Sequence, residues 1–346
     1  MRLLEVSDLT VSFPTPDGLV QAVRGLSFGL DAGQTLGIVG ESGSGKSVST
    51  QTIAGLTRGA RVTGTALFDG EDLLAMDAHR LRGILGGQIA MIFQDPLSSL
   101  HPYYRIGWQI VEMIREHTPC SRREATGRAI ELLGLVGIPE PEQRIRDYPH
   151  QFSGGMRQRV MIAMALALHP RLLVADEPTT ALDVTVQAQI LELMQDLQRR
   201  FGIAIILITH DLGVVAGMAD EVLVMYAGRA MEHSPRRDLY YRPHHPYTVG
   251  LLDSLPEGGD PGERLRPIPG QPPSMIDPPS GCPFHPRCGF AMDRCAVEAP
   301  PLRPVPGAVG THGSACWLPL SLLGRDGVAD RRAQYAAAHR SAQVVR

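Results

Sequence analysis

Residues 40–47 read Gly-Glu-Ser-Gly-Ser-Gly-Lys-Ser and match G-x-x-x-x-G-K-[ST] in full. The chemistry such a run performs is anion binding. Glycines at 40, 43 and 45 let successive backbone N–H groups converge on phosphate oxygens, with Ser42 and Ser44 in the same turn. A helix that follows adds the positive end of its dipole. Lys46 is expected to reach the β- and γ-phosphates of a nucleotide, and the Ser47 hydroxyl to ligate Mg²⁺. Lys46 is also the only lysine among the 33 Lys and Arg residues. Arginine's wide planar fork cannot enter a tight loop as a point charge, so the exception falls where a compact ammonium is needed.

The matching carboxylates come from Arg171-Leu-Leu-Val-Ala-Asp-Glu-Pro178. An apolar strand ending in Asp176 would present that carboxylate to Mg²⁺, and Glu177, next along, would polarise an attacking water. A third constellation is made of cysteines: four of the five lie between Cys282 and Cys316. Cys282, Cys288, Cys295 and Cys316 are separated by five, six and 20 residues. In a reducing compartment such a cluster reads as metal ligation before disulfides. Four thiolates can hold Zn²⁺ or an iron–sulfur cluster. Spacing alone leaves both open, although the paired Cys-x₂₋₄-Cys knuckles of zinc ribbons are absent.

Short apolar runs alternate with helical patterns through residues 1–255, the pattern of an α/β domain with a largely parallel sheet. Strands are expected at 3–13, 20–30, 35–39, 65–68, 89–93, 171–175, 204–208 and 221–226. The stretch 47–56 is helical, which puts the glycine-rich run between a strand and a helix. The strand pattern stops between 106 and 168, where 106–117, 122–135 and 156–168 carry helical periodicity. An all-helical insertion over about 95–168 is expected there. Ten prolines fall between Pro256 and Pro286, suited to an extended connection. The cysteine segment of a 256–320 extension follows, and residues 321–346 form an Ala- and Arg-rich tail.

The totals exclude several classes. With 346 residues, 43% hydrophobic and 20% charged, the chain has material for a sizeable core. A formal charge of −3 argues against a dedicated nucleic-acid binder. No apolar run reaches the ~18–20 residues that span a bilayer. An acid follows the N-terminus too soon for a secretory leader, so a chain neither secreted nor membrane-spanning is expected.

Phe152-Ser-Gly-Gly-Met-Arg-Gln158, 23 residues before Asp176 when counted from Ser153, resembles the signature loop of ABC transporter ATP-binding subunits. The resemblance covers about 1–255. It implies a P-loop NTPase fold with an antiparallel β subdomain, and ATP with Mg²⁺ as substrate. It also implies two half-sites, in which Ser153, Gly154 and Gly155 of one subunit face the ATP held by the other. Phe152 and Met156 depart from the commonest Leu and Gln. Gln94 resembles the glutamine that senses Mg²⁺ and water, Ala181-Leu-Asp183 the loop communicating between subunits, and His210 the histidine touching the γ-phosphate. Phe13 is the candidate for stacking on adenine.

Gly281-Cys-Pro-Phe-His-Pro-Arg-Cys288, with His245-Pro-Tyr-Thr248 and the segment 152–164, narrows the resemblance to the D-type ATPases of bacterial dipeptide and oligopeptide importers, over about 1–320. That group implies a [4Fe–4S] cluster on the four cysteines, an F-type ATPase as partner, two membrane permeases, and an extracytoplasmic peptide-binding protein. It places the chain peripherally on the cytoplasmic face of the cell membrane. Tyr103, Tyr104 and Trp108 are the expected permease contacts on the helical insertion. Soluble ABC ATPases of ribosomes or DNA ends fit less well, because the chain carries one nucleotide unit and no sustained heptads. Glu177 and His210 speak against a non-hydrolysing regulatory subunit.

Overall fold

The computed structural model describes residues 1–255 except Ala181, and 267–318 except Val309. The tail at 321–346 and part of the proline-rich connection lie outside the described residues. In chain order the elements begin with β1 (Arg2–Thr15), β2 (Gly18–Asp31), β3 (Thr35–Val39), α1 (Lys46–Ile53), β4 (Arg61–Phe68) and β5 (Glu71–Asp72). Next come α2 (Ala78–Ile84), β6 (Ile89–Ile92), α3 (Pro96–Ser99), α4 (Ile106–His117), α5 (Arg122–Leu135), α6 (Pro141–Arg144) and α7 (Gly154–Leu166). Then follow β7 (Leu172–Asp176), α8 (Val184–Phe201), β8 (Ala204–Thr209), α9 (Leu212–Met218), β9 (Glu221–Tyr226) and β10 (Arg229–Pro235). The remainder is α10 (Arg236–Tyr241), α11 (Pro246–Asp253), α12 (Asp293–Val297), β11 (Arg303–Pro304) and β12 (Gly313–Ser314).

The described chain divides into two compact units, one of residues 1–4, 29–35 and 67–209, the other of 5–28, 36–66 and 210 onward. In the first unit β6, β7 and β8 run parallel, Ile89 opposite Leu172 and Leu172 opposite Ala204. Every residue of β7 and β8 is buried, which is why both read as unbroken apolar runs rather than alternating ones. Helices α4, α5 and α7 lie in the stretch between β6 and β7. Ile106, Ile110 and Ile114 are wholly buried along one stripe of α4. Ser121 and Glu124 close a capping box at the start of α5.

In the second unit β3 pairs parallel with β9, Leu36 opposite Glu221, and β10 pairs antiparallel with β9. The C-terminal segment then extends this sheet, β12 pairing with β10 and β11 with β12. β10 carries no apolar alternation and escapes a pattern-based reading. Its polar residues Glu232, His233 and Ser234 are nonetheless buried. The Glu232 carboxylate accepts from the His244 N–H at 2.6 Å and faces His312 Nε2 at 2.9 Å, so burial there is tolerated through hydrogen bonding.

Two differences from the sequence reading bear on the site. The expected helix at 156–168 starts two residues earlier, at Gly154, because the Ser153 hydroxyl caps it by accepting from the Met156 N–H at 3.3 Å. Helix α8 was not anticipated. Asp183 caps it, accepting from the Val186 N–H at 2.9 Å, and Gly202 ends it at φ 64°. No helix among the described residues is long and apolar enough to cross a membrane.

Candidate nucleotide site

The phosphate loop lies in the second unit. Burial of all five β3 residues fixes where the strand ends, and the chain turns at Gly40 into residues 40–45 before α1. Gly45 sits at φ 96°, and a Cβ there would meet the Ala22 carbonyl oxygen at 2.2 Å. A Cβ on Gly40 would meet the Met225 oxygen at 2.1 Å. Both positions therefore demand glycine. Lys46, the first residue of α1, is only 5% exposed, and its Nζ donates to the carbonyls of Gly40 at 2.8 Å and Glu41 at 3.0 Å. The ammonium is thus folded back over the loop. The Ser44 N–H donates to the Glu41 carbonyl at 3.2 Å, while its buried hydroxyl has no hydrogen-bond partner among the described residues. An orphaned hydroxyl, a buried ammonium and a helix N-terminus are a donor set that fits phosphate. Ser47 follows in the first turn of α1, Ser42 and Gly43 are exposed on the loop, and Phe13 is half-buried on β1.

The carboxylates lie in the first unit. Asp176 is the last residue of β7 and 5% exposed. Glu177 turns away from the strand at φ 48°, an uncommon conformation for a residue other than glycine. Its N–H donates to the Ile208 carbonyl at 2.9 Å, and its Oε2 accepts from Gln94 Nε2 at 3.1 Å and the Thr180 hydroxyl at 2.9 Å. Strain at such a position persists only when neighbours over-determine it. Gln94 and Glu177, 83 residues apart, are brought together by their hydrogen bond. Thr180 is a residue the sequence reading missed. It lies three positions after Glu177, and nothing in its type marks it out.

Ser153, Gly154 and Gly155 form the N-terminal turn of α7, with Ser153 and Gly154 exposed. A Cβ on Gly155 would meet Val186 Cγ1 of α8 at 2.6 Å, so α8 packs directly against this turn. Asp183 stands at the α8 N-cap, Ala181 lies outside the described residues, and His210 is exposed just after β8. Tyr103 is 83% exposed, and the Tyr104 ring stacks on Trp108 at 4.1 Å with both partly exposed. These aromatics are surface, not core.

The four C-terminal cysteines line one cavity together with His245, Phe284 and Trp317. Burial raises the pKa of Cys282 and pushes Cys288 and Cys316 up to about 12, so without a cation nearby these thiols stay neutral. The expected preformed metal centre is nevertheless corrected in one respect. No group of three or more His, Cys, Asp or Glu side chains among the described residues is placed to hold a metal ion. The four thiols share a cavity, and among the described residues neither Zn²⁺ nor a [4Fe–4S] cluster has a formed ligand set there.

His245 caps α11, its Nδ1 accepting from the Tyr247 N–H at 3.0 Å. Burial lowers its pKa to about 3. An unfolded histidine takes a proton near pH 6.5, so this contribution to stability is complete above that value and lost as pH falls. Between pH 7 and pH 5 the loss is about 2 kcal/mol. Urea unfolding at both pH values should show that difference, reduced by the same amount in His245→Gln. An identical pH response in both proteins would contradict it.

A phosphate loop between a strand and a helix, with a carboxylate-tipped parallel strand elsewhere in the chain, defines the P-loop nucleotide-binding class. Comparison with known proteins narrows this. The family described as "ABC transporter" matches residues 23–180, and "Oligopeptide/dipeptide transporter, C-terminal region" matches 231–295. The oligopeptide transport ATP-binding protein OppD of Escherichia coli is 53% identical over 93% of this chain and 94% of its own. OppD of Bacillus subtilis is 53% identical over 92% and 89%, and the dipeptide transport protein DppD of the same organism 51% over 92% and 95%. A solved dimeric, post-hydrolysis structure of the ATP-binding cassette MJ0796 with ADP and Pi is 26% identical, with a TM-score of 0.61, over 68% of this chain and 99% of that one. The chain belongs to the ABC transporter ATP-binding proteins, in the group that includes OppD and DppD.

Proposed function

We propose that this chain is the ATP-hydrolysing subunit of a bacterial importer of dipeptides or oligopeptides, driving its permeases by ATP-dependent dimerisation with a partner ATPase. The observation that carries the reading is Glu177, held by Gln94 and Thr180 one residue beyond the Asp176 strand end. That is the arrangement a water-activating carboxylate requires. The loop at 40–47 grips the triphosphate, with Lys46 neutralising its charge. Ser47, Asp176 and Gln94 are the Mg²⁺ ligands each motif implies, and Mg²⁺ supplies charge neutralisation on the phosphates. Glu177 accepts the proton of the attacking water. His210 contacts the γ-phosphate, and Phe13 stacks on the base. In this reading the exposed Ser153–Gly154 turn and Asp183 serve the half-site of the second subunit.

The partner is an F-type ATPase in a heterodimer, beneath two permeases that receive an extracytoplasmic binding protein. The chain is then peripheral to the cytoplasmic membrane face. The exposed Tyr103, Tyr104 and Trp108 group is the permease contact. The domain plan is a nucleotide-binding domain at 1–255, with its helical part at about 95–168, an extension at 256–320 and a tail at 321–346. Co-expression with candidate permeases and partner, followed by identification of what copurifies, tests the assembly. A chain that hydrolyses ATP at full rate as a monomer would refute it.

The cysteine cavity is proposed to hold a [4Fe–4S] cluster in a structural role. In support, the four thiols border one cavity. A cluster spreads its four ligands further apart than one metal does, and its positive irons draw buried thiols into the thiolate form. Purified without oxygen, the protein should be brown and carry about four iron atoms per chain. A colourless preparation with stoichiometric zinc would overturn the assignment.

A further inference from the structure

Glu41 is the one charged residue inside the phosphate loop apart from Lys46, and the motif leaves its identity open. Each of its polar groups is engaged. Its N–H donates to the Tyr247 hydroxyl at 2.9 Å, and its carbonyl accepts from Lys46 Nζ and the Ser44 N–H. Its carboxylate takes a two-pronged contact from Arg287, Nη1 to Oε2 at 2.6 Å and Nη2 to Oε1 at 3.0 Å.

Arg287 is built for that contact. It is 7% exposed, and it closes the short helical turn His285–Arg287 between Cys282 and Cys288. Its Nε donates to the Pro269 carbonyl at 2.8 Å, and its Nη1 also reaches the Tyr226 hydroxyl at 3.1 Å. Phe284, in the same turn, packs 5.2 Å from Tyr247 and 5.3 Å from Tyr226. Thus both residues that grip Glu41 are seated on the cysteine turn, one within it and one against it.

We propose that Arg287 is a positioning residue for nucleotide binding, which presets the phosphate loop through Glu41 and makes the C-terminal extension a brace on the ATP site. The inference rests on the loop being that site. A loop held in its binding shape before the ligand arrives loses less freedom on binding. The guanidinium fork matches a carboxylate with two parallel bonds, which a lysine ammonium cannot reproduce. Changes at Cys282 or Cys288 reach the loop by this route, because Cys288 follows Arg287 directly.

The test is a titration of the full chain with MgATP for wild type, Glu41→Gln, Arg287→Lys, Arg287→Ala and the Glu41→Gln/Arg287→Ala double variant. Circular dichroism checks each fold. Each single variant is expected to raise Kd about 10-fold, and the double variant about as much as one single, because the two residues act as a pair. Arg294→Ala, which breaks an exposed pair with Glu298, should leave Kd unchanged. Folded Glu41→Gln and Arg287→Lys proteins with wild-type Kd would overturn the proposal, as would effects that multiply in the double variant. Should Arg287→Ala fail to fold, those two milder variants and their combination decide it in the same way. Absence of MgATP binding by wild type would instead remove the nucleotide reading on which it stands.

Discussion

Glu177→Gln binds MgATP with near-native affinity and loses turnover by about 100-fold or more, the usual contribution of a positioned general base. The amide is isosteric with the carboxylate, so the φ of 48° at residue 177 and the bond from its own N–H to Ile208 need not change. What disappears is the basic oxygen that Gln94 and Thr180 hold in place. Thr180 can still donate to the new amide oxygen, but that oxygen cannot take a proton from water. The change therefore separates binding from chemistry, the signature of an interaction made in the transition state. Single-turnover hydrolysis by the assembled transporter, alongside a nucleotide titration, reads both quantities. Hydrolysis at the wild-type rate would remove Glu177 from its role and leave Asp176 as the only carboxylate at that strand end.

Lys46→Ala acts on the other quantity. Its ammonium is buried, donates to two loop carbonyls, and belongs to the only lysine in the chain. Alanine removes the charge that meets the phosphates and leaves the Gly40 and Glu41 carbonyls without that donor. Hydrogen bonds to charged groups contribute about 1.5–3 kcal/mol each, so affinity for MgATP should fall roughly 10- to 150-fold. Lys46→Arg should not restore it, since the fork does not fit where the ammonium folds back over the loop. Direct titration of the three proteins decides this. Equal affinities for wild type and Lys46→Ala would place the nucleotide elsewhere.

The parts of this molecule that could be read from sequence are those whose signals are local. Strand β3, the loop after it, and α4 and α5 are set by residues within a few positions of one another, and their limits agree closely with the structure. Strands β7 and β8 were legible because burial on both faces demands an unbroken apolar run. β10 was not, because its interior positions are filled by Glu232, His233 and Ser234, satisfied by partners such as His244 and His312 far along the chain. Helix α8 did carry local signals, a capping Asp183 and a terminal Gly202. Asp183 carries two signals at once, the helix cap seen here and the inter-subunit loop that the resemblance implies. The Gln94–Glu177 contact, 83 residues apart, and the Arg287–Glu41 contact, 246 residues apart, had no sequence signal. The cysteine spacing suggested a metal centre, whereas the described residues show four buried or half-buried thiols lining one cavity without a formed ligand set.

Equilibrium dialysis of the purified full-length chain against ATP, with and without magnesium, tests the central claim most directly. The account predicts saturable binding of one nucleotide per chain, strengthened by magnesium. A wild-type chain that is folded yet shows no saturable uptake of ATP would contradict it.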